Sequence, residues 1–380
     1  MKRAAVAFLL VVSACEISMR IDDVRASDAS NDANDSAASL CVGHGCPIAL
    51  TVSLNADSSC ARMADNTVRC WGAWNSASIP RQELLLSNTH ALALGAGYLC
   101  ALMPDLTVRC YGTNANGQLG DGTTTDRTVP AQVPGLSGIQ EVIAAGTTTC
   151  VLRSNGTAWC WGNNAHGQLA DGSTQSRSTP FQVNGLAGVT SVATNGDAVC
   201  AVVAGGTVRC WGANFASVPT MFPGLAGVTA VAMGGQHYCV LLGDATVRCW
   251  GQNTYGQLGD GSTADRTVPA PVVGLSGVLQ IAAGATHTCA LINDGTVRCW
   301  GQDDVGQLGD GSTTNRSTPF TVPSINDVTS LQIGLATAAG SGHTCVVRRD
   351  GSVWCWGHNN SGQIGDGTTM YRTSAVRVSL

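Results

Sequence analysis

HTCALINDGTVRCWGQDDVGQLGDGSTTNRSTPF, residues 287–320, holds two cysteines with nine residues between them and a glycine-rich stretch behind the second. The same arrangement occurs seven times: Cys60 with Cys70, Cys100 with Cys110, Cys150 with Cys160, Cys200 with Cys210, Cys239 with Cys249, Cys289 with Cys299 and Cys345 with Cys355. The copies follow one another at 39 to 56 residues. A unit of this length cannot bury its own apolar faces and must stack on copies of itself. Seven copies with strand-like patterning therefore predict an all-β fold, a seven-bladed β-propeller of four-stranded antiparallel blades.

Within one copy, Asn293-Asp294-Gly295 has the form of a three-residue hairpin turn with glycine in the left-handed position. That turn sets Ile292 opposite Thr296, Leu291 opposite Val297 and Cys289 opposite Cys299. Directly opposed cysteines at a non-hydrogen-bonded site reach disulfide distance. Gly156, Gly206 and Gly351 fill the same slot, and Asn66 is a tolerated substitute. Leu106 and Ala245 do not suit it, so the reading expects those two turns to be built differently. A metal site or free thiols are the rival reading of the pairs, although zinc sites bring closer cysteines in sets of four.

Alternation along the strands puts Cys289, Leu291, Val297 and Cys299 on one face and Ala290, Arg298 and Trp300 on the other. Both faces are bulky, which places each blade between two neighbours. Trp71, Trp161, Trp211, Trp250, Trp300 and Trp356 occupy one slot, with Tyr111 in the second copy. A repeated slot points to core between blades, and a sugar-binding surface is the alternative. The four strands of a blade are read as xxIAAG, HTCAL, TVRCWG and VPxxV. The final TSAVRVSL is either the outer strand of blade seven or a strand that pairs with the first blade to close the ring.

Residues 1–14 have the form of a secretory signal: Lys2 and Arg3, the apolar run AAVAFLLVV, then small residues. Val12-Ser13-Ala14-Cys15 is similar to the bacterial lipobox, which implies cleavage before Cys15 and lipid on its sulfur. Residues 15–47 are then a polar, acidic linker with a small loop closed by Cys41 and Cys46, and 48–380 the propeller. His44 lies inside that small loop, so a metal site is the alternative to a disulfide there. An exported chain meets an oxidising compartment, and all cysteines after the first pair off evenly. The expected location is the cell envelope, as an outer-membrane lipoprotein or at the cell surface.

Charged residues are only 12% of the chain, the formal net charge is −5, and Lys2 is the sole lysine. Nucleic-acid binding needs basic clusters and is not expected. Phosphate loops ending in lysine are excluded as well.

The consensus CWGxNxxGQLGDGTTxxRxxPxxVxGLxxVxxIAAGxxHTCAL resembles the regulator of chromosome condensation repeat family. The central GQLGDG element stands at 117–122, 167–172, 256–261, 306–311 and 362–367, reading GQLADG in the third blade and GQIGDG in the last. The resemblance covers 48–380 and implies a seven-bladed propeller. The family's founding member is a guanine nucleotide exchange factor, and no residue of this chain matches a position that would carry that activity. Other members are secreted bacterial binding proteins.

No nucleophile–base pair is visible. His237, His287 and His343 each precede a first cysteine by two and are read as structural hydrogen-bonding groups. The Asp of each GQLGDG element lacks the acidic ligands of a calcium loop and is expected to cap the turn or to pair with an arginine such as Arg266 or Arg316. The reading is a non-enzymatic, monomeric binding module without cofactor or metal, recognising a protein or surface polymer and held at a membrane by its lipid. An exchange-factor-like regulator and a propeller hydrolase or lyase are the alternatives. The loops after Trp71 and Trp211 lack GQLGDG, and Trp74, Phe215, Met221 and Phe222 within their replacements are the candidate partner-binding residues.

Overall fold

The structure is a computed structural model that describes residues 47–52, 57–334 and 342–380. The expected signal, Cys15 and the small loop between Cys41 and Cys46 lie outside the described residues. Seven four-stranded antiparallel sheets follow one another along the chain, spanning 47–87, 91–132, 139–182, 189–221, 228–271, 278–321 and 328–377. The sixth shows the pattern: Val278–Ala283 is innermost, then His287–Ile292, Val297–Gly301 and, outermost, Arg316–Thr321. Small side chains on the innermost strand suit the crowding near the axis. Arg372–Arg377 is the outermost strand of blade seven, so the ring closes without exchanging a strand with blade one.

Closure rests instead on side-chain packing. Cys345, Val347, Val353 and Cys355 of blade seven pack on Ala61, Met63 and Trp71 of blade one. The same contact joins every consecutive pair: the cysteine-bearing face of one blade meets the Trp-bearing face of the next, as where Cys239, Leu241, Val247 and Cys249 meet Ala290 and Trp300. Seven such clusters form the core. All six tryptophans of the repeated slot are at most 3% exposed and Tyr111 is 5% exposed, so this slot is core and not a sugar-binding surface.

The central hairpins have the read register, with Cys289 opposite Cys299 and Leu291 opposite Val297. Each repeat pair is a disulfide within its own blade, and none is a set of free thiols or metal ligands. Cys60 is bonded to Cys70, Cys100 to Cys110, Cys150 to Cys160 and Cys200 to Cys210. Cys239 is bonded to Cys249, Cys289 to Cys299 and Cys345 to Cys355. The Cα atoms of each pair are 4.1 to 4.2 Å apart.

One expectation is corrected. Leu106 and Ala245 take φ of 60° and 62°, beside 62° for Asn66 and 79° for Gly295. Their amides close the same three-residue turn, to Met103 and Leu242 carbonyls at 2.9 Å. The register demanded by the buried cysteine pair outweighs the roughly 1–2 kcal/mol that a non-glycine residue costs in this conformation.

Candidate functional site

Antiparallel order puts two sets of loops on one face of the ring: those leading into the cysteine hairpin and those following CWG. The hairpin turns lie on the other face. Five of the post-CWG loops are built alike. In blade two, Asn114 Oδ1 accepts from Leu119 N at 3.0 Å, and its Nδ2 donates to the Thr123 and Thr125 carbonyls at 3.0 and 3.1 Å. Asp121 accepts from Thr123 N at 2.8 Å and pairs with Arg127. The acid thus both caps the turn and pairs with the arginine. The same pairing joins Asp171 to Arg177, Asp260 to Arg266, Asp310 to Arg316 and Asp366 to Arg372. Burial opposes ionisation of Asp260, but hydrogen bonds from Ser262 and Arg266 hold its pKa below the usual carboxylate value.

Each complete loop is also fastened to the following blade. The buried indole N–H of Trp161 donates to Gln118 O at 2.8 Å. Trp211 does so to Gln168 O, Trp300 to Gln257 O, Trp356 to Gln307 O and Trp71 to Gln363 O, at 2.7 to 2.9 Å. Hydroxyls of Thr149, Thr288, Thr344 and Ser59 reach four of those carbonyls at 2.9 to 3.1 Å. His237, His287 and His343 in turn meet Thr288, Thr344 and Ser59 at 2.8 to 3.0 Å. Each hydroxyl spends its proton on a glutamine carbonyl, so the imidazole Nε2 must be the donor. Burial lowers the pKa of these three histidines to about 4, 3 and 4. They are neutral struts between blades.

The two variant loops break this fastening. Blade one lacks the GQLGDG turn, and blade two answers with Leu99 where four blades have the Ser or Thr that reaches the glutamine carbonyl, and Tyr111 where tryptophan stands. Blade four lacks it too, and blade five has Tyr238 and Trp250 there. Tyr111 Oη and Trp250 Nε1 are buried and without a hydrogen-bond partner, whereas the five tryptophans behind complete loops all have one.

The two gaps are treated differently. Between blades four and five, aromatic rings move in. Phe222 packs on Trp250 with ring centroids 4.5 Å apart, and Phe215 meets Tyr238 at 5.2 Å. Both phenylalanines are half-buried against the core, while Met221 is 57% exposed on the short outer strand Thr220–Met221. Between blades one and two, only Trp74 enters. It stands edge-on to Tyr111 at 5.4 Å and donates to Glu83 Oε2 at 3.3 Å. A cavity of about 520 Å³ remains beside them, bounded by Ser58, Leu94, Tyr111, Arg127 and Thr128 among others. That volume lies within the range of ligand sites. Burial raises the pKa of Tyr111, and the nearby Glu83 carboxylate adds to this.

The four candidate residues thus fall into two groups. Phe215, Met221 and Phe222 share one interface, and Trp74 stands alone at another, three blades away. Tyr111 and Glu83 belong to the Trp74 site and were not singled out by sequence reasoning. The signal was Tyr111 breaking the Trp slot directly after a loop that lacks GQLGDG. Among the described residues, no three His, Cys, Asp or Glu side chains converge as a metal site would need.

Models of the "Regulator of chromosome condensation (RCC1) repeat" match residues 108–152, 155–203, 244–291 and 294–347, and a second such model matches 228–257, 278–307 and 336–363. The chain belongs to this family of repeat propellers. Among solved structures it is similar to Prp20p of Saccharomyces cerevisiae, whose binding to Gsp1p and histones has been studied. The two are 22% identical over 87% of this chain and 88% of that one, with a TM-score of 0.72. Human WBSCR16 is 24% identical over 80% and 85%, with a TM-score of 0.69. The CRINKLY ectodomain of the receptor kinase ACR4 of Arabidopsis thaliana is 21% identical over 83% and 96%, with a TM-score of 0.50. At these identities the likeness is one of fold.

Proposed function

We propose that this chain is a non-enzymatic, exported binding propeller that recognises a partner protein at the cell envelope through the face carrying the post-CWG loops. The observation that carries this reading is the uneven rim. Five loops share one fastening, the indole bond to the glutamine carbonyl, and the other two give it up, one for a cavity beside Trp74 and one for an aromatic patch at Phe215, Met221 and Phe222. Loops on a rigid scaffold are where recognition concentrates. Prp20p supports a protein partner by analogy of fold, since it binds Gsp1p and histones. The lipobox-like Val12-Ser13-Ala14-Cys15 supports attachment through Cys15. Low charge and the absence of basic runs argue against nucleic acid.

The test is capture of envelope proteins by the purified propeller. Trp74→Ser with Phe215→Ser should lose the captured protein while thermal unfolding remains cooperative. Capture unaffected by these changes, but abolished by substitutions in the hairpin turns of the other face, would overturn the assignment. Cys15→Ser should release the chain from membranes, and unchanged partitioning would refute lipid attachment.

A further inference from the structure

We infer that the cavity between blades one and two is a receptor slot for a glycine-flanked turn of a partner chain, one that carries a buried aliphatic side chain next to a free backbone carbonyl. This rests on the reading above and names the ligand class of the site. The protein shows five times what fills such a slot. At each complete interface the turn buries an aliphatic residue (Leu119, Leu169, Leu258, Leu308 or Ile364, all at most 1% exposed) and offers a carbonyl to the aromatic donor of the next blade. It also runs close against the start of that blade's outermost strand. A Cβ on Gly117, Gly256, Gly306 or Gly362 would meet Ser178, Ser317, Thr373 or Ser78 at 2.4 to 2.5 Å, so only a glycine backbone fits there.

The cavity is bounded by the counterparts of these two surfaces. Tyr111 stands where the tryptophan stands, and Thr128 stands where Ser178, Ser317 and Thr373 stand. The Tyr111 hydroxyl is buried and unpartnered, as the indoles would be without their glutamine carbonyls. The Glu83 carboxylate beside it accepts from Trp74 at Oε2 and, at 3.2 Å, from Leu85 N at Oε1, and a carbonyl seated in the slot would take the Tyr111 proton in competition with it. At the other gap Phe222 and Phe215 lie against the counterpart aromatics, Trp250 and Tyr238. A turn seated at blades one and two would bury its aliphatic group against Trp74 and accept from Tyr111.

The full propeller is titrated calorimetrically with a capped peptide of its own residues 115–124, ANGQLGDGTT, as the probe. Saturable 1:1 binding is expected, weakened at least fivefold by Trp74→Ala and about threefold by Tyr111→Phe. Leu119→Asp in the peptide should abolish it, and Val268→Ser at an exposed position of the blade-five outer strand should leave it unchanged. No saturable binding, or binding indifferent to Trp74→Ala, overturns the slot. If envelope capture depends on Trp74 while the peptide does not bind, the ligand class is wrong and the docking face stands. If the peptide binds as expected and no envelope protein is captured, the slot stands and the partner reading falls.

Discussion

The indole N–H of Trp300 donates to the backbone carbonyl of Gln257, one blade back and 2.9 Å away. This bond joins the loop of one repeat to the core of the next, so neither is complete alone. Trp300→Phe should keep most of the packing and lose about 1 kcal/mol, the usual net value of one hydrogen bond. Leu258→Ala in the same loop should cost more, roughly 2–5 kcal/mol, because it leaves a cavity under the turn. Urea denaturation of the two variants checks the order. Equal losses would show that the loop is not packed as described.

Removing a single bridge should be measurable but survivable. Cys289→Ser with Cys299→Ser opens a loop of sequence separation 10. The chain-entropy model gives a loss of roughly 2–3 kcal/mol. Peptide mapping without reductant should recover Cys289 linked to Cys299 and six analogous pairs, such as Cys60 linked to Cys70. Linkages between repeats would contradict the hairpin register.

Acid should loosen the ring through its three buried histidines. Each has a folded pKa near 3 or 4, below the ordinary 6.5. Between those values the unfolded chain binds more protons, so stability is full above about pH 6.5 and falls as pH drops towards 4. His287→Gln should flatten that part of the profile of unfolding temperature against pH. A profile unchanged by this variant would show that His287 does not titrate on unfolding.

Asp303 should act in the opposite direction. It stands where blades two, three, five and seven have Asn114, Asn164, Asn253 and Asn359. Its Oδ1 accepts from Leu308 N at 2.9 Å, as the asparagine oxygens do from the matching amides. Its second oxygen therefore takes the place of an amide that donates to backbone carbonyls. Burial, with Asp310 nearby, raises its pKa to about 7. The folded state holds the proton more tightly than the unfolded one, so stability is lost as pH rises from about 4 through 7. Asp303→Asn should raise the unfolding temperature at pH 8 by several degrees and leave it nearly unchanged at pH 4. A variant less stable at pH 8 would refute this.

Blade number, strand order and disulfide register were legible in the chain because all three follow from short-range spacing repeated seven times. The histidines could be read as structural for the same reason. The Leu106 and Ala245 turns run against local preference because the buried cysteine pairs, Cys100 with Cys110 and Cys239 with Cys249, override it. The site was half legible. Trp74 and Phe215 stood out as apolar groups in loops that lack GQLGDG. That one gap is filled by Phe222 and the other left open beside Tyr111 depends on packing across blades, which spacing along the chain does not encode.

Partner recognition on the post-CWG face is tested most directly by a photo-crosslinking amino acid placed in the full chain in its own cells, at position 74 in one variant and at position 294, on an opposite-face hairpin turn, in another. The account predicts a discrete protein adduct from position 74 and none from position 294. An adduct from position 294 with none from position 74 would contradict it.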